Sequence, residues 1–165
     1  MRIFLLLLTF CSFALNARSQ EVYNLVLENA TKVVNSPTSG YAQAQIAQFK
    51  RTALLYMKKK AFERTDTVPA KFLNTQAYYM SEFLGLFFNV ILKDNKSDAS
   101  ARKEKIMLFM DASAMNPLYN DEDKETTMAF VNDGGELTPF SLDTDWQKAY
   151  LAAVEKLKTL KEEEK

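Results

Sequence analysis

Histidine is missing from all 165 residues, and the single cysteine, Cys11, lies in the first apolar segment. Without imidazole the chain cannot assemble a Ser-His-Asp or Cys-His constellation, and one thiol supplies too few donors for a conventional zinc site or haem attachment. A lone cysteine closes no internal disulfide, so packing must hold the fold together. Glycine is scarce as well: Gly40, Gly85, Gly134 and Gly135 are the whole supply. None belongs to a loop that would cradle phosphate, and Gly85, inside an apolar segment, reads as a point of close approach for a neighbouring helix. Long apolar runs are lacking too. The run Ile3–Leu15 has 13 residues, among them Thr9, Cys11 and Ser12, whereas a bilayer-crossing helix takes about 20.

That short run is framed by Met1-Arg2 before it and by Ala17 and Ser19 after it, at the −3 and −1 positions of a cleavage site. Residues 1–19 are therefore read as a cleaved signal peptide, with a single helical domain over 20–165 located in the periplasm or outside the cell. Loss of Arg2 and Arg18 takes Lys+Arg from 21 to 19 against 21 Asp+Glu, a net charge of −2. Cys11 departs with the leader, so the exported domain would have neither thiol nor imidazole. Its 146 residues (165 less 19) suit one hydrophobic core.

Apolar residues recur at helical spacing almost throughout, and clear strand alternation is not seen. The first helix is predicted over 21–35, with Val22, Leu25, Val26, Ala30, Val33 and Val34 inward, stopped by Ser36-Pro37-Thr38-Ser39-Gly40. The second runs over 41–62 on Ala42, Ile46, Phe49, Ala53, Tyr56 and Met57. A Thr-Asp-Thr-Val-Pro loop, with Pro69 in the first turn, leads into a third helix over 70–93. There Leu73, Ala77, Met80, Leu84, Phe87 and Ile91 form a stripe that Phe72, Tyr79, Phe83, Leu86, Phe88 and Val90 widen. A helix so apolar belongs at the centre of a bundle.

A fourth helix over 99–115, capped from Asp94–Asp98, would face inward with the Lys103 stem, Ile106, Met107, Met110 and Ala114. Asp121–Val131 reads as a short, weak helix and the stretch from Asn132-Asp133-Gly134-Gly135 to Leu142 as irregular. Thr144-Asp145-Trp146-Gln147 fits a capping box for the last helix, with Trp146, Ala149, Tyr150, Ala153, Val154, Leu157 and Leu160 inward. The predicted fold is all-α, a bundle of five to six helices around the segment 70–93.

The functional candidates are few. Asp121-Glu122-Asp123, the Asn132–Glu136 stretch and Asp143-Thr144-Asp145 offer oxygen ligands but match no looped calcium site, so caps and turns account for them, and no metal or cofactor is expected. Five rings, Tyr78, Tyr79, Tyr119, Phe140 and Trp146, are candidates for an aromatic-lined ligand pocket. Charge is segregated: Tyr41–Lys71 has seven basic and two acidic residues, and Asp111–Asp145 has one basic and nine acidic. Lys50, Arg51, Lys58, Lys59 and Lys60 are the candidate interaction surface, and the opposed segments are expected to close on each other or to meet a partner. Export and the acidic balance argue against nucleic acid as that partner.

The leader ending Ser19-Gln20, the small cysteine-free helical body and the segment Pro139–Trp146 resemble exported proteins of Gram-negative cell envelopes that have no assigned activity. The expected function is a non-catalytic interaction or binding protein of the envelope, with a protein or a small ligand as partner. Two alternatives follow: a small-molecule or glycan-binding helical domain, and a hydrolase working through a carboxylate pair.

Overall fold

The computed structural model describes residues 21–91, 98–132 and 137–163, so the predicted leader with Cys11 and the predicted turn at Asp133-Gly134-Gly135 lie outside the described residues. Among them are five helices, α1 (Glu21–Asn35), α2 (Tyr41–Arg64), α3 (Ala70–Ile91), α4 (Ala99–Ala114) and α5 (Trp146–Glu163). Between α4 and α5 stands an antiparallel pair, β1 (Met128–Asn132) and β2 (Leu137–Ser141). None of the described helices is long and apolar enough to cross a membrane.

The predicted centre is the observed one. In α3 every residue of the predicted stripe, Leu73, Ala77, Met80, Leu84, Phe87 and Ile91, is buried, and the helix packs against all four others. Its outer side faces water at Tyr78, Glu82 and Gly85. A Cβ built on Gly85 would meet nothing within 4 Å, so this glycine is not a close-approach point, contrary to the sequence reading. Pro69 stands just ahead of the helix rather than in its first turn, its carbonyl accepting from the N–H of Phe72 at 2.9 Å.

In the flanking helices the buried face is set by the largest side chain. Tyr23 is fully buried in α1, its hydroxyl donating to the Leu54 carbonyl (3.1 Å) and its N–H to Asn74 Oδ1 (2.9 Å), while Leu25 is 55 % exposed. One ring with a hydroxyl that finds a carbonyl outweighs the valines that the spacing favoured. In α4 the inward residues are Leu108, Phe109, Ala112 and Ser113, and Met107 is 51 % exposed. Two stripes about one residue apart fit a helical period equally well. Phe109 decides between them, edge-on to Phe83 and Phe87 with centroids 5.4 and 5.3 Å away.

The region after α4 departs most from expectation. Asp121–Val131 is not a helix: turns held by Asp123 lead into β1, which pairs with β2 through Met128↔Ser141, Phe130↔Pro139 and Asn132↔Leu137. Val131, Thr138 and Phe140 point into the core, whereas Met128, Phe130 and Leu137 face outward. Apolar residues on both faces erase the polar alternation by which a half-buried strand is recognised. Asn120, just upstream, takes a φ of 55°, a left-handed conformation that Asn tolerates better than most residues.

The start of α5 is capped differently from the predicted box. Asp145 Oδ1 accepts the N–H of Lys148 (3.3 Å), and the buried backbone N–H of Trp146 donates to Oε1 of Gln76 from α3 (2.8 Å). The Gln76 amide also donates to Asp145 Oδ1 (3.1 Å). Thr144 turns inward instead, donating to the Ser141 carbonyl (2.6 Å) and meeting Ser113 Oγ at 2.9 Å. Six rings, Phe49, Phe83, Phe87, Phe109, Phe140 and Trp146, then pack edge-on where α2, α3, α4, β2 and α5 converge.

Candidate ligand-binding site

The five aromatic candidates do not meet around one cavity. Phe140 and Trp146 are part of the packed ring cluster. Tyr119 is buried against α2, its hydroxyl donating to the Met57 carbonyl at 2.9 Å. Tyr79 leans on Tyr150, and Tyr78 is half exposed beside it. Packing accounts for four of them, and Tyr78 stands half exposed on the surface.

The cationic candidates separate into different settings. Lys58 lies over the Tyr23 ring, 5.6 Å from its centroid, and Lys59 pairs with Glu63 on the surface. Arg51 is half-buried on α2. Lys60 reaches Asp121 at 2.8 Å, and Tyr56 donates to the same Oδ2 at 2.9 Å. One turn on, Arg64 covers the Tyr119 ring and donates to the Tyr119 carbonyl. The basic helix and the acidic segment thus close on each other within the chain. Hydrogen bonds from Lys60 and Tyr56 hold the Asp121 carboxyl down at about 2. Burial, with the hydrogen bond to Asp121 adding to it, drives the Tyr56 phenol far above its ordinary value.

Next to this junction Asp143 is buried with its carboxylate fully engaged. Oδ1 accepts the N–H groups of Leu118 (3.1 Å) and Tyr119 (2.7 Å), and Oδ2 accepts that of Asp121 (2.7 Å). The two carboxylates that come together here are tied into holding the 118–121 loop, so neither is poised as an acid or base for hydrolysis. Among the described residues no group of three or more Asp, Glu, His or Cys could hold a metal ion.

A different arrangement surrounds Lys50. Here α1, α2 and α3 leave a cavity of about 430 Å³, inside the range of small-molecule sites. Its walls are aliphatic, from Val26, Ala30, Val33, Ile46 and Ala47, and its polar groups are Asn29, Gln43, Lys50 and Ser81. Burial lowers the Lys50 amine below the usual lysine value, partly offset by the charge of Glu82. Lys50 is the one ionisable residue of the lining, and Ser81 Oγ is buried without a hydrogen-bond partner.

An orphaned buried hydroxyl costs on the order of 1–3 kcal/mol, and such exceptions in folded proteins call for an explanation. Trp146 Nε1 is the other orphan among the described residues, but it is enclosed by the rings of Phe49 and Phe83, whereas Ser81 borders open space. Lys50 does not hydrogen-bond Ser81, so the pair is not a nucleophile with its base. The arrangement can hold a largely apolar body with polar groups in contact along it.

A larger hollow of about 600 Å³ lies between α4 and α5. Charges of both signs line it (Lys103, Glu104, Asp111, Lys156), and none of its polar atoms is buried and unpartnered. Sequence reasoning named Lys50 but missed Ser81 and the aliphatic walls. The available signal was a serine set between Met80 and Phe83 in the most apolar helix of the chain. Comparison with protein-family models, with characterised proteins and with solved structures produced no match, so the residues and their geometry carry the functional argument.

Proposed function

We propose that the chain is an exported, non-catalytic binding protein whose ligand is a small molecule seated between α1, α2 and α3. The observation that carries this reading is the orphaned Ser81 hydroxyl in the wall of a largely aliphatic cavity that Lys50 also lines. The leader-like residues 1–19 support export, and a domain without imidazole or thiol supports binding over catalysis. An envelope protein as partner draws less support from the cationic helix, because Lys58, Lys59 and Lys60 are engaged within the chain.

The neutral naphthalene dye prodan tests the reading. It is expected to bind the protein with one saturable site and a blue-shifted emission. Ala47→Trp, which fills the cavity from a position in its wall, is expected to abolish that binding while leaving the far-ultraviolet circular dichroism unchanged. Absence of binding, or equal binding by the well-folded Ala47→Trp variant, would overturn it.

A further inference from the structure

The outer face of the hairpin is apolar, and no described element covers it. Met128, Phe130 and Leu137 are each 41–55 % exposed, and Phe130 faces Pro139 directly across the ribbon. The inner residues Val131, Thr138 and Phe140 are already in the core. Strands apolar on both faces have the pattern of a sheet covered on both sides, and clustered apolar side chains with a polar rim mark contact surfaces. The rim is acidic: Glu122, Asp123 and Glu125, ahead of β1, are all exposed.

A second apolar stripe lies on α2. Leu55 and Phe62 are both exposed, and their spacing of about two helical turns puts them on one side. Three of the four residues that neighbour Leu55 on the helix surface, Arg51, Lys58 and Lys59, are basic. Lys60 is taken up by Asp121, whereas Lys59 meets only Glu63, at 3.8 Å, and an exposed pair of that kind contributes little. The stripe and the hairpin are neighbours on the surface. α2 packs against β1, and Leu55 stands roughly 100° round the helix from Tyr56, which donates to Asp121 ahead of β1. Both patches are fixed to the same core, so they cannot fold over onto each other.

We infer that the hairpin face is covered by the α2 stripe of a second copy of this chain, in a two-fold dimer with two identical contacts. Charge decides between this arrangement and hairpin against hairpin. The latter stacks one acidic rim on another, whereas the former sets Glu122, Asp123 and Glu125 against Arg51, Lys58 and Lys59. A two-fold axis that lays one hairpin on the partner's stripe also does the reverse, and since the patches adjoin, the two contacts merge into one interface around the axis. That doubling supplies extent: a stable interface takes about 800 Å² from each partner, more than the few side chains of either patch alone.

Sedimentation equilibrium of the full exported chain tests the inference. A dimer is expected at micromolar concentration, weakened several-fold when salt is raised from about 0.1 to 1 M, which shortens the screening length from roughly 10 to 3 Å. Phe130→Ser and Leu55→Ser, both at exposed positions and checked for unchanged far-ultraviolet circular dichroism, are each expected to weaken dimerisation about tenfold or more. Mixing the two variants is expected to restore part of the association, because a mixed dimer keeps one contact intact where each homodimer keeps none. A chain that stays monomeric at a hundred times that concentration overturns the inference. So does a Leu55→Ser variant that dimerises like the unaltered chain, a mixture that associates no better than its components, or a dimer that salt tightens, each of which points to hairpin against hairpin or to another surface.

Discussion

Single residues in this protein carry tasks that their neighbours cannot share. Asp143 is the clearest, since one buried carboxylate satisfies three backbone N–H groups of the loop after α4. Asp143→Ala would leave all three without an acceptor and is expected to cost about 3–5 kcal/mol in chemical denaturation. Asp143→Asn should cost less, because its carbonyl oxygen can still serve Leu118 and Tyr119. Asp121 governs the acid limb. Its carboxyl is held at about 2 against an ordinary 3.8, so its contribution is present above the ordinary value and is lost as the pH falls toward 2. Asp121→Asn is expected to flatten the stability–pH curve across that window, and urea titrations at pH steps between about 4 and 2 would show an unchanged slope if the pairing with Lys60 and Tyr56 does not matter. At alkaline pH the signs concern Tyr23 and Tyr119. Burial lifts both phenols to about 12, favouring the neutral form in the fold, so their contribution is present below 10 and fades as the pH rises toward 12.

At the scale of elements, the hairpin and α3 make opposite demands on their exposed and buried sides. In β1 and β2 the inward residue Phe140 and the outward residue Phe130 are both aromatic, yet their surroundings differ completely. Phe140→Ala is expected to cost about 3–5 kcal/mol, whereas Phe130→Ser should stay within about 0.5 kcal/mol. Equal effects in denaturation would refute the register. In α3, Gly85 lies on the water-facing side with open space where a Cβ would stand. Gly85→Ala is therefore expected to stabilise the protein by roughly 0.5–1 kcal/mol, measured as a rise in the thermal midpoint, since alanine lowers the entropy of the unfolded helix segment without meeting a neighbour.

The whole molecule is joined by its ring cluster, in which Phe49, Phe83, Phe87, Phe109, Phe140 and Trp146 bring α2, α3, α4, β2 and α5 to one place. Trp146 is the only tryptophan, so its fluorescence reports from the middle of that cluster. Tryptophan fluorescence and far-ultraviolet circular dichroism are expected to give coincident unfolding transitions, and Phe83→Ala should shift both together by about 3–5 kcal/mol. Separate transitions would mean that the hairpin and the helices do not share one core.

Helix periodicity located α3 as the centre of the bundle, because a segment apolar on nearly every side has nowhere else to go. The breaks at Pro37-Gly40 and ahead of Ala70 were legible for a similarly local reason: backbone restrictions on proline and glycine act whatever the tertiary context. Lys50 and the charge opposition were visible as composition. The hairpin was not, because Met128, Phe130 and Leu137 place apolar side chains on its outer face and mask its period. Nor were the rotations of α1 and α4, which depend on where the Tyr23 hydroxyl and the Phe109 ring find partners. The acceptor for the first N–H of α5, that of Trp146, comes from Gln76, 70 residues earlier in the chain. Ser81 became a candidate only when packing closed over its hydroxyl and left no acceptor in reach. What the sequence by itself determined are features that each residue's own backbone and the spacing of its near neighbours dictate. The facing of each helix, the ribbon and the cavity beside Lys50 were decided by contacts between residues far apart in the chain, which exist only once the core has packed.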